Sequence, residues 1–174
     1  MWIFTHNLPA NRWIFSPRAP LASAQGGYTW LAPDQGWPRL SDFQAVSGKL
    51  MAEFDHWAER TGAPVDSFDV MGFSQGAALA YTLAAFYPQR VQRVIALAGF
   101  LPAEDALPGR YAALTGKKIY VAHGAKDETV PISMAQEAVR ILQTAGAEVV
   151  YCESEVGHKL SAPCLRGLTQ FITG

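Results

Sequence analysis

Apolar residues along this chain follow two alternating rhythms. Short continuous runs are rich in β-branched and aromatic side chains: Trp13-Ile14-Phe15, Phe68-Asp69-Val70-Met71-Gly72, Val94-Ile95-Ala96-Leu97-Ala98, Ile119-Tyr120-Val121-Ala122 and residues 148–152. Each predicts a strand, and a run without alternation, such as 94–98, suits a strand buried on both faces. Between them lie segments of helical spacing. Phe43, Val46, Leu50, Phe54 and Trp57 recur at intervals of three and four, with Ser41 as the expected N-cap and Gly62 and Pro64 as the stop. Further helices are predicted over 75–87, ended by Pro88, over 131–142, opened by Pro131, and after Ser161, carrying Leu165, Leu168 and Phe171. Loops fill 16–32 and 100–116. Five strands alternating with helices predict an α/β fold: a mostly parallel sheet with helices on both faces.

Composition narrows this picture. At 174 residues and 49% apolar content, one domain over 1–174 is expected. A net charge of −1 gives no electrostatic reason to bind nucleic acid or an anionic membrane surface. The four histidines are dispersed, so no metal and no cofactor is expected. Cys152 and Cys164 give no disulfide framework; read as two buried thiols, they fit a reducing, cytoplasmic compartment. Residues 1–9 lack the basic start of a signal peptide, and the longest uncharged stretch, 76–87, is too short to span a bilayer.

The chemistry lies between the predicted elements. Gly72-Phe73-Ser74-Gln75-Gly76 is a G-x-S-x-G motif set between a strand and a helix, the context of a nucleophile elbow. Ser74 would sit in a strained turn, with Gly72 and Gly76 leaving room for it, and the Gln75 backbone N–H would face a developing oxyanion. A serine hydroxyl needs a base. His158 follows the last strand and Asp127 follows the one before it. Both therefore fall at the carboxyl edge of the sheet, where open α/β sheets bind ligands. The order Ser, Asp, His is that of α/β-hydrolases. Asp127 would orient His158, which would deprotonate Ser74.

Other candidates are weaker. His123 stands at a strand end and reads as a buried structural histidine. Glu128 competes with Asp127 as the acid. His6 and His56 read as surface residues, and Asp69, inside a strand, as one half of an ion pair.

These motifs resemble the phospholipase/carboxylesterase family of α/β-hydrolases, which includes acyl-protein thioesterases and dienelactone-hydrolase-like esterases. The resemblance rests on Gly72-Phe73-Ser74-Gln75-Gly76, on His123-Gly124 with Asp127 and Val130-Pro131, and on Gly157-His158 with Ser161. Pro17-Arg18-Ala19-Pro20 and Gly26-Gly27-Tyr28-Thr29-Trp30 also resemble the family's segment after its fourth strand, so the likeness runs from about Leu8 onward. It implies an α/β-hydrolase fold and a carboxylesterase that cleaves small or medium acyl esters or thioesters through an acyl-enzyme. It also implies that Tyr28 and Trp30 lie near the acyl pocket. Phe73, Phe100 and Leu160 flank the motifs and join them as pocket candidates. Few charges lie in these loops, which favours an uncharged acyl substrate.

The family has further strands and an H-G-x-G-like loop before the point at which Met1 stands. Relative to that pattern the chain is expected to be N-terminally truncated, with 1–8 as the end of a helix and the oxyanion hole short of its second N–H. The edge of the strand at 68–72 would then be exposed, paired directly with Trp13–Phe15, or covered by another chain, and an open apolar edge favours a homodimer or self-association. A second reading stays open: a catalytically impaired remnant acting as a binding module.

Overall fold

The computed structural model describes residues 12–174 apart from 25, 33–35 and 65. The expected helix at 1–8 lies outside the described residues, as does His6. The main sheet has four parallel strands in sequential order: β3 (Phe68–Phe73), β4 (Val91–Leu97), β5 (Lys118–Gly124) and β6 (Glu148–Ser154). Ahead of it a two-residue antiparallel pair joins β1 (Leu21–Ala22) to β2 (Tyr28–Thr29). The helices are α1 (Gln44–Thr61), α2 (Gln75–Phe86), α3 (Ile132–Thr144) and α4 (Ala162–Thr173), with a short 3-10 turn at Arg110–Leu114.

Each crossover moves the chain one strand in the same direction. Crossovers of one hand and one direction fall on one face of a sheet. Accordingly α2 and α3 pack on the same side, against Val94, Ala96, Ile119 and Val121, with Met51 and Phe54 of α1 in the same cluster. The alternate residues, Ile95, Leu97, Tyr120 and Ala122, face the other way and meet Cys164, Leu168 and Ile172 of α4. The period-two split within continuous apolar runs is what a sheet covered on both faces requires. The Tyr120 hydroxyl donates to the Cys164 carbonyl at 2.7 Å, and the Arg93 guanidinium donates to the Phe171 and Ile172 carbonyls, closing the C-terminal end of α4.

The structure corrects three expectations. Trp13-Ile14-Phe15 is not a strand, so the main sheet has four strands among the described residues rather than five. The Trp13 and Phe15 rings find their apolar contact on α1, Phe15 at 5.5 Å from Phe54 and Trp13 at 6.0 Å from Trp57. No described strand pairs with the outer edge of β3. Ser41 does not cap α1, which begins after Phe43 without a side-chain cap. The Ser41 hydroxyl instead meets the Asp105 carboxylate at 3.0 Å, and Asp42 accepts from the Arg39 N–H. Finally, Cys152 and Cys164 form a disulfide. Strand β6 and the first turn of α4 bring their Cα atoms to 5.6 Å, within disulfide reach. The argument for a reducing compartment from unpaired thiols therefore falls away. No helix among the described residues is long and apolar enough to cross a membrane.

The other strand and helix expectations stand, with strands longer than read. β4 starts at Val91, and β5 and β6 run on to Gly124 and Ser154. Ser161 caps α4, its hydroxyl accepting from the Cys164 N–H, and Gly62 ends α1 with a left-handed φ of 69°.

Candidate active site

The four strands end nearly level. Gly72 pairs in register with Ala96, Ala96 with Val121, Ala122 with Cys152 and Gly124 with Ser154. Whatever follows β3, β5 and β6 therefore converges on one edge.

After β3 the chain turns sharply into α2. Ser74 occupies the turn with φ 55° and ψ −121°, a strained conformation for a residue with a Cβ. Its N–H extends the sheet by donating to the Leu97 carbonyl at 2.9 Å, and its carbonyl accepts from the Ala77 N–H to open the helix. A Cβ at Gly72 would overlap the Gly76 carbonyl, so Gly72 is needed for this close turn. Gly76 is different from expectation: a Cβ there would meet only the Trp30 indole nitrogen, at 4.0 Å. The Gln75 N–H lies in the first turn of α2, where no intrahelical carbonyl accepts, at the positive end of the helix dipole.

After β5 the chain forms a tight turn around Asp127. One carboxylate oxygen accepts from the Thr129 and Val130 N–H groups, both at 2.9 Å. The other lies 2.7 Å from His158 Nδ1. The Asp127 side chain is wholly buried, whereas that of His158 is 24% exposed. Burial alone would raise the Asp127 pKa. The Val130 N–H, His158 and the Thr129 N–H outweigh it and hold the carboxyl below its ordinary value. An ionised carboxylate only accepts, so Nδ1 of His158 carries the proton and Nε2 of the neutral ring presents its lone pair.

His158 sits four residues beyond β6, in a segment knitted to the Asp127 turn. Ala125 N–H donates to the Ser154 carbonyl at 2.8 Å and Lys126 N–H to the Val156 carbonyl at 3.0 Å. A Cβ on Gly124 would overlap the Val156 and Gly157 carbonyls, so this glycine lets the two segments touch. The Cys152–Cys164 disulfide closes the base of the same segment. Among the described residues the Ser74 hydroxyl makes no hydrogen bond. The Phe73 ring, one residue before Ser74, lies 4.9 Å from the imidazole.

A cavity of about 450 Å³ opens over Ser74 and Gln75. Phe100, Thr129 and Val130 line it from the sheet side, and Trp37, Pro38, Ala32 and Gly36 from the loop before α1. None of these lining side chains is charged. Trp37 packs edge-on against Phe100 at 4.9 Å and is 47% exposed.

The structure thus brings Asp127 and His158 into direct contact and sets Ser74 and Gln75 at the same edge. Of the five pocket candidates only Phe100 lines the cavity. Tyr28 is 56% exposed beneath the Arg18 guanidinium. Trp30 packs on the main core, Phe73 lies against His158, and Leu160 joins the α4 cluster. Glu128 is exposed, whereas Asp127 is buried against the histidine. Asp69 ion-pairs with Arg12 and Arg93, both at 3.9 Å, and His56 is exposed. Sequence reasoning missed Trp37, Thr129 and Val130. The last two lie within three residues of Asp127, which was the available signal. It also missed the Gln75 side chain, whose Oε1 accepts from the Trp30 N–H at 2.7 Å and so ties residues 29–30 to the elbow.

The sequence profile of the phospholipase/carboxylesterase family matches residues 11–174. The chain belongs to this family. It is therefore a carboxylic-ester hydrolase by class. Acyl-protein thioesterase 1 of Debaryomyces hansenii is 27% identical over 183 residues, covering 95% of this chain and 77% of that protein. Esterase YpfH of Escherichia coli is 28% identical over 128 residues, covering 70% of this chain and about half, 51%, of that protein. Among solved structures, a carboxylesterase from Mesorhizobium loti superposes with a TM-score of 0.76 at 24% identity, over 90% of this chain and 73% of that one. Arabidopsis thaliana SOBER1 superposes at 0.74 and 22%, over 98% and 89%. At these identities the superpositions show the α/β-hydrolase fold alone.

Proposed function

We propose that this family member is a serine esterase acting through an acyl-enzyme, with Ser74 as nucleophile, His158 as base and Asp127 as orienting acid. What supports the reading above all is the Asp127 carboxylate. It is buried, fixed by two backbone N–H groups and 2.7 Å from His158 Nδ1. That arrangement holds the tautomer whose Nε2 can accept a proton.

In the first half-reaction His158 Nε2 takes the Ser74 proton as Oγ attacks the acyl carbon. The carbonyl oxygen gains negative charge, and the Gln75 N–H donates to it, aided by the α2 dipole. Collapse expels the alcohol or thiol, which leaves with the proton from His158. Water then enters, loses a proton to the same nitrogen and releases the acid, restoring Ser74. The uncharged cavity walls favour an uncharged acyl group of small or medium size, as ester or thioester, within the volume range of small-molecule sites.

A fluorophosphonate probe tests the assignment. It is expected to label the wild-type chain on Ser74 and to leave Ser74→Ala unlabelled, with hydrolysis of an activated acyl ester lowered roughly 10³-fold or more. Labelling that persists in Ser74→Ala would overturn it.

A further inference from the structure

Two histidines meet the same oxygen of Asp127. His158 Nδ1 is 2.7 Å from Oδ2, and His123 Nε2 is 3.4 Å from it. His123 is the penultimate residue of β5, before Gly124, and its side chain has no exposed surface. A second imidazole so close to the acid raises the question of why it does not compete with the first.

The partners of its two ring nitrogens differ. His123 Nε2 is 2.8 Å from the Val130 carbonyl, which can only accept. Nε2 therefore carries the proton and gives it to Val130, the nearer acceptor. The other ring nitrogen, Nδ1, is buried and has no partner among the described residues. A proton there would be a buried donor with no acceptor, which is costly. Glu153, the register neighbour of His123 on β6, is engaged elsewhere, its carboxylate accepting from the Tyr151 hydroxyl at 2.8 Å. His123 is thus a one-proton donor aimed at Val130.

That target matters because Val130 also faces the acid. Its N–H donates to Asp127 Oδ1, its carbonyl accepts from His123, and Thr129 and Val130 line the cavity. We propose that His123 is a positioning residue: through Nε2–H it pins the Val130 carbonyl, and the residue so held, through its N–H on the other side of its Cα, sets the rotation of the Asp127 carboxylate toward His158. This rests on the reading of Ser74, His158 and Asp127 given above.

The test uses the different reach of two amides. In His123→Gln the side-chain nitrogen can lie near the position of Nε2; in His123→Asn it lies near Nδ1; His123→Leu has no donor. Rates of acyl-ester hydrolysis are expressed per fluorophosphonate-labelled site, so that loss of folded protein does not count. His123→Gln is expected to keep kcat within about threefold. His123→Asn and His123→Leu are expected to lose about 10- to 100-fold in kcat, the scale of a misplaced catalytic group, with KM changed much less. A role confined to stability would lower the number of labelled sites and leave kcat per site alone. Equal kcat per site in all three variants, or a loss in His123→Gln as large as in His123→Asn, overturns the proposal. Should the variants fail to fold, the wild-type chain decides it. Long-range ¹⁵N spectra of the histidines at neutral pH are expected to show His123 with its proton on Nε2 and a bare Nδ1; a proton on Nδ1 overturns the proposal. If the wild-type chain is not labelled on Ser74, the serine-esterase reading fails instead, which the spectra distinguish from failure at His123.

Discussion

The cavity has two walls built in different ways. On one side, Thr129 and Val130 line it from the turn after β5, which carries Asp127 and abuts the segment after β6 that carries His158. This turn and that segment are tied to each other by backbone hydrogen bonds and closed by a disulfide, and β5, beneath the Asp127 turn, is buried at every residue but Lys118. On the other side, the loop before α1 presents Trp37 and Pro38. It is fastened by a few separate contacts: the Trp30 N–H on Gln75, the Trp37 ring on Phe100, and a bridge between Arg39 and Ala103. On the proposed serine-esterase reading, the first side holds the groups whose placement has to be accurate to a fraction of an ångström for proton transfer. On the same reading the second meets the apolar surface of the substrate, where contact area matters more than angle. The proposal thus divides the labour of the site, with chemistry rooted in the sheet and selectivity in the loop.

The hardest way to break this division is at the acid. Asp127→Asn keeps the shape but cannot hold His158 in the same tautomer, and the expected loss is about 10⁴-fold in kcat with labelling of Ser74 slowed in parallel. Glu128→Gln, on an exposed side chain of the same turn, is expected to cost almost nothing. If Glu128→Gln is the more damaging change, the carboxylate is misassigned.

A smaller effect is expected on the loop wall. Trp37→Ala removes apolar surface from the cavity while leaving the Asp127–His158 pair untouched. We expect KM for a medium-chain ester to rise about 3- to 10-fold, roughly the worth of one lost apolar contact, with kcat nearly unchanged and acetyl esters little affected. A matching fall in kcat would mean that the two walls are not separable.

The smallest effect concerns stability. The Asp127 carboxyl is held below its ordinary pKa in the folded chain, so its contribution is present above the unfolded value, about 3.9, and is lost as the pH falls through the folded value. Asparagine has no such dependence. The stability difference between the wild-type chain and Asp127→Asn, from urea melts, is therefore expected to narrow from pH 7 to pH 3. A constant difference would show that the carboxylate gains nothing from its bonds to Val130, Thr129 and His158.

Much of the side built on the sheet was legible in the sequence, because its signals are local. The run at 94–97 reads as a buried strand from its residues alone, and Ser161 reads as a cap because its partner is three residues on. Ser74, Asp127 and His158 could be proposed together because each follows a strand and parallel strands end on one edge. The loop wall was not legible. Tyr28 and Trp30 are as aromatic as Trp37, and nothing local says which of the three reaches the cavity. The strand expected at Trp13-Ile14-Phe15 failed for a related reason: β propensity measures fit to a half-buried surface, and α1 supplied that surface in place of a neighbouring strand.

By itself, then, the sequence determined the order of strands and helices, the tight turn at Ser74 and the candidates proposed as acid and base, since periodicity, capping and the glycine at a tight turn act over a few residues. Tertiary structure decided what depends on distant neighbours. It brought Cys152 and Cys164 within bonding distance across β6 and α4. It gave the cavity to Trp37 rather than Tyr28. It also set His123 against Val130 and Asp127, where one ring nitrogen has a partner and the other has none, because only the packed chain determines which donors and acceptors meet out of reach of water.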